Sequence, residues 1–172
     1  MRAALLALAL VPGVARAAEP PCLSSAEFTA LAGYGLPSAI AGTSQRCAAT
    51  LPADAFLRTQ GPALIARYAT AKPAMWPAAK AAFFKLGIAA PPEAMQMLRA
   101  LPDASQQQLV DIFVAGIVAE KLPVEHCATF DRLLALLSLL PPESTAEAIG
   151  LAAGIGSRAG QARIGKIVIC TP

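Results

Sequence analysis

Residues 101–140 read LPDASQQQLVDIFVAGIVAEKLPVEHCATFDRLLALLSLL, and the fold is decided here. Asp103 with Gln106 reads as a capped helix start, and the spacing predicts a helix over about 104–121. Leu109, Ile112, Phe113, Gly116 and Ile117 recur at helical spacing and form one face of it. Pro123 opens a second helix, with a stripe of Phe130, Leu133, Leu134, Leu137 and Leu140. Leu136 and Leu139 widen that stripe nearly all round, so this helix is predicted to be the most buried element. It is too short to span a bilayer and carries Asp131 and Arg132.

The same grammar extends outward. Downstream, Ser144 and Glu147 read as a capping box for a helix to about Ile155, and Ile164 to Cys170 reads as a short extended tail. Upstream, Pro91-Pro92-Glu93 opens a helix to about Leu101, and Pro77 suits the first position of a helix stopped by Gly87. Residues 63–71 form another helical segment, set off by Gly61-Pro62 from one that starts near Asp54 and carries Phe56 and Leu57. Ser24-Ser25-Ala26-Glu27 is a capping box for a short helix through Leu31, with Gly33 and Gly35 as its stop. Residues 36–50 stay open between a helix begun at Pro37 and a turn at Gly42-Thr43-Ser44. The Leu-Pro pairs at 51, 101, 122 and 140 are irregularly spaced and read as helix starts, not a repeat period.

Composition agrees with a helical globule. Of 172 residues, 56% are hydrophobic, 15% charged and 5% aromatic, which excludes a disordered polar chain. Neither a Gly-X-Y period nor charged heptads appear. Forty alanines permit close helix packing. Residues 1–17 read as a secretory signal: Arg2, an apolar run from Ala3 to Val11, and Ala15-Arg16-Ala17 as the cleavage pattern. Nine apolar residues do not cross roughly 30 Å of hydrocarbon, so no membrane span is expected. The expected product is residues 18–172, a periplasmic or secreted single domain. It is all-α, of six or seven short helices, disulfide-stapled, with a short extended C-terminal tail.

Cys22, Cys47, Cys127 and Cys170 all lie in the exported part, and an even count there reads as disulfides. Of the three possible pairings, Cys22–Cys47 with Cys127–Cys170 is expected, because shorter loops close more readily. No Cys-x-x-Cys half-site is present, so no metal site and no covalent haem are expected.

Catalytic groups are few. Residues 160–166 match the start of a phosphate-binding loop, but Ile167 stands where a hydroxyl must reach magnesium, and the required following helix has no room. His126 adjoins Cys127 without facing it on a helix, and reads as a solvated first-turn side chain. Glu143 with Glu147, and Glu120 with Glu125, look like helix-end acids; no cluster of aromatics marks a sugar cleft around them. Neither Gly-x-Ser-x-Gly nor Ser-x-x-Lys occurs. No catalytic residue and no cofactor are assigned, and an envelope enzyme ranks third among the readings.

Charge carries more information. Net charge is +3, and removing Arg2 and Arg16 with the leader leaves twelve basic against eleven acidic side chains, which argues against nucleic acid as partner. Residues 55–92 hold Arg58, Arg67, Lys72, Lys80 and Lys85 with no acid, whereas 103–147 hold seven acids against Lys121 and Arg132. One expectation is a cationic partner surface of Arg58, Arg67, Lys72, Trp76, Lys80 and Lys85, facing a protein or an anionic envelope component. The other is that the two segments offset each other within the fold. Trp76, Met75, Phe83, Phe84, Met95 and Met97 fit either an adaptable apolar surface or the core. The leading functional expectation is a non-enzymatic module that binds a macromolecule; the alternative is a carrier of a small apolar ligand in a helical cavity.

Overall fold

A computed structural model describes residues 22–87, 91–158, 163–164 and 167–170. The leader at 1–17 lies outside the described residues, as do five of the seven residues at 160–166. Eight α-helices account for most of the described residues: α1 (Ser25–Cys47), α2 (Phe56–Thr59), α3 (Gly61–Ala69), α4 (Lys72–Leu86), α5 (Pro92–Ala100), α6 (Asp103–Lys121), α7 (Cys127–Leu137) and α8 (Pro142–Arg158). A 3-10 turn, Val124–His126, precedes α7. The disulfide-stapled all-α fold expected from the sequence is the fold observed, with eight helices among the described residues in place of six or seven.

The largest departure is α1. Its start is as expected: the Ser24 hydroxyl accepts from Glu27 N–H at 3.2 Å, and Ser24 N–H donates to the Glu27 carboxylate at 2.8 Å. Gly33 and Gly35 do not stop it; the helix runs on through Pro37 to Cys47. A Cβ at Gly33 would stand 2.8 Å from Ala146 of α8 and against Met75 of α4, and one at Gly42 would strike the Ala115 backbone of α6. These glycines therefore cost helix propensity, about 1 kcal/mol each against alanine, and return it as close helix approach. The central element is thus α1, packed by α3, α4, α6 and α8.

The core divides into three clusters, and α1 enters all of them. Ile40 and Cys47 join Leu57, Leu64, Tyr68 and Leu134; Phe28 joins Leu23, Ala82 and Ile169; Tyr34 joins Trp76 and Val110. By contrast α7 buries only Cys127 and Leu134, while Leu133, Leu136 and, just beyond the helix, Leu139 are exposed. The prediction that the helix after Pro123 is the most buried element is corrected: an apolar stripe shows that a helix can be buried, not that a neighbour covers it.

Two helix starts also differ. Ser144 lies inside the first turn of α8, which opens at Pro142, and Pro77 lies within α4, which opens at Lys72. Gln106 does not cap α6. It is 1% exposed and its amide donates backward to the carbonyls of Leu98 (3.0 Å) and Leu101 (2.9 Å), closing the C-terminal end of α5. The cap of α2 comes from far away: Asp131 of α7 accepts from Phe56 N–H at 3.3 Å and Leu57 N–H at 2.7 Å. Asp131→Ala is expected to cost about 1–2 kcal/mol, as loss of a helix cap does, read from urea unfolding midpoints.

The chain ends meet in a small sheet of order β1-β3-β2, made of β1 (Cys22–Leu23), β2 (Arg163–Ile164) and β3 (Ile167–Ile169). β1 runs parallel to β3 with Leu23 opposite Ile169, and β2 runs antiparallel to β3. The extended tail is thus a paired strand. All four cysteines are bridged, but as Cys22–Cys170 and Cys47–Cys127, with Cα separations of 5.0 and 5.5 Å. The expected pairing fails because the whole of α1 stands between Cys22 and Cys47. At 1.5 Å rise per residue that rod holds the two about 35 Å apart, far beyond disulfide reach. Loop-closure entropy favours short loops only when the loop is flexible.

Candidate functional site

The five cations of the basic segment are all engaged inside the chain. Lys72 of α4 ion-pairs with Asp111 of α6, which also accepts from the Ser38 hydroxyl at 2.9 Å. The Lys72 ammonium lies 4.4 Å from the centre of the Tyr34 ring. Lys80 pairs with Asp103 at 2.6 Å, and Lys85 with Glu27 at 2.8 Å. Arg58 donates to the carbonyls of Ala48 (3.1 Å) and Leu51 (3.2 Å) just past the end of α1, and Arg67 to those of Ser138 and Leu140 past the end of α7. Arg46 makes the same contact with Leu122 after α6, at 3.0 Å. Cations placed on unsatisfied carbonyls complement the negative ends of these helices. Trp76, 5% exposed, packs on Tyr34 with ring centres 4.9 Å apart.

The electrostatics follow this pairing. Hydrogen bonds from the Lys85 ammonium and then the Ser24 backbone hold the Glu27 carboxyl below its usual range. The Lys80 ammonium, hydrogen-bonded to Asp103 at 2.6 Å, does the same for that carboxyl. Burial pushes the Tyr34 phenol well above its ordinary value, and the Asp111 charge adds to the rise. Because the folded pKa of Glu27 lies below the unfolded one, its contribution is present above the ordinary carboxylate range and is lost as pH falls through the folded value. Carbon-13 NMR should find Glu27 titrating lower than free glutamate, and Lys85→Ala should raise it back toward that value.

His126 is exposed on the 3-10 turn, and its neighbour Cys127 is closed in a disulfide. Among the described residues no group of three or more His, Cys, Asp or Glu side chains could hold a metal ion, and no helix is long and apolar enough to cross a membrane.

What stands out instead is an apolar groove between α6 and α8, floored by α1. The floor is one stripe of α1, with the small residues Ala32, Gly35 and Ala39 flanked by Phe28, Leu31 and Leu36. Val110, Phe113, Val114, Ile117 and Val118 of α6 form one wall, and Phe83 of α4 and Ile149 of α8 complete the lining. The groove encloses about 310 Å³, and its lining is hydrocarbon with almost no polar surface. Its α6 wall continues onto an exposed crest of Leu109 (47% exposed), Ile112 (63%), Phe113 (43%) and Ile117 (42%). A Cβ at Gly116, on the same crest, would meet nothing within 4 Å. From residue 112 to 119 α6 carries no polar side chain.

The face of α6 singled out by its spacing is therefore the outward one, while Val110 is buried behind it against Tyr34 and Trp76. Helical spacing identified the stripe but not its direction, because α6 is apolar on two sides. The groove has no signature in α6 alone; it depends on how far α8 stands from α6 across α1. No protein-family model, curated protein or solved structure matches this chain.

Proposed function

We propose that this chain is an exported, non-enzymatic binding module, periplasmic or secreted, that receives a macromolecular partner on the apolar crest of α6. The observation that carries this is the unpartnered run of Leu109, Ile112, Phe113 and Ile117 on a helix whose other side packs against α1. Contiguous exposed apolar patches of this kind mark interaction sites in soluble proteins. Two closed disulfides are the chemistry of an oxidising compartment, and residues 1–17 have the pattern of an export signal. The cations of the basic segment support this placement by being already paired or bonded to carbonyls. A second reading, a carrier of a small apolar ligand, is favoured by the groove, whose 310 Å³ lies at the lower end of small-molecule sites.

The double variant Leu109→Glu, Ile112→Glu tests the module. Both side chains are exposed, so the thermal midpoint should change by the equivalent of no more than about 0.5 kcal/mol. Binding of the native partner, read by co-purification from the envelope fraction, should be lost. Full retention of the partner by a folded double variant would move the interface elsewhere.

A further inference from the structure

We propose that the partner of the α6 crest is a second copy of this chain, and that the two pair about a two-fold axis with the crest of each seated in the α1–α6–α8 groove of the other. This rests on the crest reading and names its partner. The groove limits what can fill it. Its lining supplies no hydrogen-bond donor or acceptor of consequence, so an extended segment would leave backbone groups unsatisfied there. A helix closes those bonds within itself and seats in an apolar trough by anchors spaced three or four residues apart. Leu109, Ile112, Phe113 and Ile117 are such anchors, already exposed and already on a helix.

Crest and groove lie side by side, and Phe113 and Ile117 belong to both. A face with a ridge next to a trough is complementary to itself, since one two-fold rotation sets both ridges in both troughs and closes the assembly. The other exposed apolar side chains do not offer this. Leu151 of α8 lines a separate hollow with Ser25 and Thr29, and α7 contributes nothing to the groove lining. Either one set in the groove would make a head-to-tail contact that does not close. Gly116 adds an independent sign. A Cβ at Gly33, Gly42 or Gly150 would strike a neighbour, whereas one at Gly116 meets nothing within 4 Å among the described residues. A glycine inside α6 weakens the helix, and no close approach within the chain uses it; a second helix laid along the crest does.

Charge does not oppose the pairing. The groove lining holds no charged side chain, α6 has no polar one from residue 112 to 119, and residues 18–172 carry twelve basic against eleven acidic side chains. The area sets the strength. With 19 residues α6 is about 28 Å long, and two adjacent helices are about 20 Å across. The face thus covers roughly 560 Å² per copy, or about 1,100 Å² in the pair, which passes the ~1,000 Å² of a specific interface and falls short of the standard ~1,600 Å². The pair is therefore expected to dissociate in the micromolar range.

The test is sedimentation equilibrium of protein purified with both disulfides closed, from about 1 to 200 µM. The parent should pass from monomer to dimer over that range and form nothing larger. Ile112→Glu, on the crest and outside the groove lining, should weaken the dimer at least about tenfold. Ala39→Leu, which fills the floor, should weaken it by a similar factor. If Ala39→Leu does not fold, Gly35→Ala replaces it, since a Cβ there meets Val114 at an ordinary 3.7 Å; it should weaken the dimer measurably. Leu151→Glu, exposed on α8 and away from the groove, should pair as the parent does. Mixing gives the sharpest reading. A dimer of either variant alone has both crest–groove contacts damaged, whereas a mixed dimer of a crest variant with a groove variant keeps one intact. The mixture should therefore associate more tightly than either variant by itself. A parent that stays monomeric throughout, parental pairing by Ile112→Glu, or no gain on mixing would each overturn the assignment. The two readings separate cleanly. A monomeric parent whose Leu109 and Ile112 double variant still loses its envelope partner overturns the pair and leaves the crest module. A dimeric parent whose folded double variant keeps that partner overturns the module and leaves the pair.

Discussion

Replacing Cys47 and Cys127 together by alanine is expected to lower unfolding stability by about 4–5 kcal/mol, from the loop-closure entropy of a bridge that spans 80 residues. The bridge fastens the last turn of α1 to the first of α7 and is buried at 0% and 2% exposure within the Ile40, Leu57, Tyr68 and Leu134 cluster. Its removal therefore loosens the denatured chain's constraint and empties part of a packed cluster at the same time. Domains of this size have about 5–15 kcal/mol in total, so the variant should be marginal at 37 °C. Guanidinium unfolding with intact Cys22–Cys170 is the measurement. A midpoint within the equivalent of about 1 kcal/mol of the parent would mean that α1 and α7 hold each other without the bridge.

A second large effect is expected from Arg58→Glu, Lys72→Glu and Lys80→Glu combined. Lys72 is only 16% exposed and lies between Asp111 and the Tyr34 ring, so a carboxylate there faces a like charge in a half-buried site. That alone should cost about 3 kcal/mol, as breaking buried pairs does. Arg58→Glu sets a negative charge on the carbonyls beyond α1, for about 1 kcal/mol more. Lys80 and Asp103 form a surface pair and add less than about 1 kcal/mol. A chain of this length should then melt about 10–15 °C lower. Binding by whatever remains folded should be unaltered. Unchanged melting with lost binding would restore the basic segment as the partner surface.

How much of this was legible in the sequence depended on whether a signal was local. The Ser24–Glu27 capping box, the left-handed Gly87 after α4, and the starts of α5 and α6 are local chemistry, and each stands within a residue or two of its expected place. Gly33 and Gly42 misled because their reason is tertiary: Gly33 lets α4 and α8, and Gly42 lets α6, come close to α1, and no window along the chain contains those partners. The same holds for Asp131, which serves α2 from 75 residues away, and for Gln106, which turns back onto α5. Charge segregation between 55–92 and 103–147 was visible, and the two segments meet in two ion pairs, Lys72–Asp111 and Lys80–Asp103. The groove was not, since its walls come from residues 28–39, 83, 110–118 and 149, whose spacing in the sequence says nothing of the gap between them.

The central claim, that the α6 crest is where this protein meets its partner, is tested most directly by photo-crosslinking in living cells. Benzoylphenylalanine is placed at Ile112 on the crest and, as control, at Ala81, an exposed position of α4. The account predicts a discrete crosslinked species from position 112 and none from position 81. No adduct at 112, or the same adducts from both positions, would contradict it.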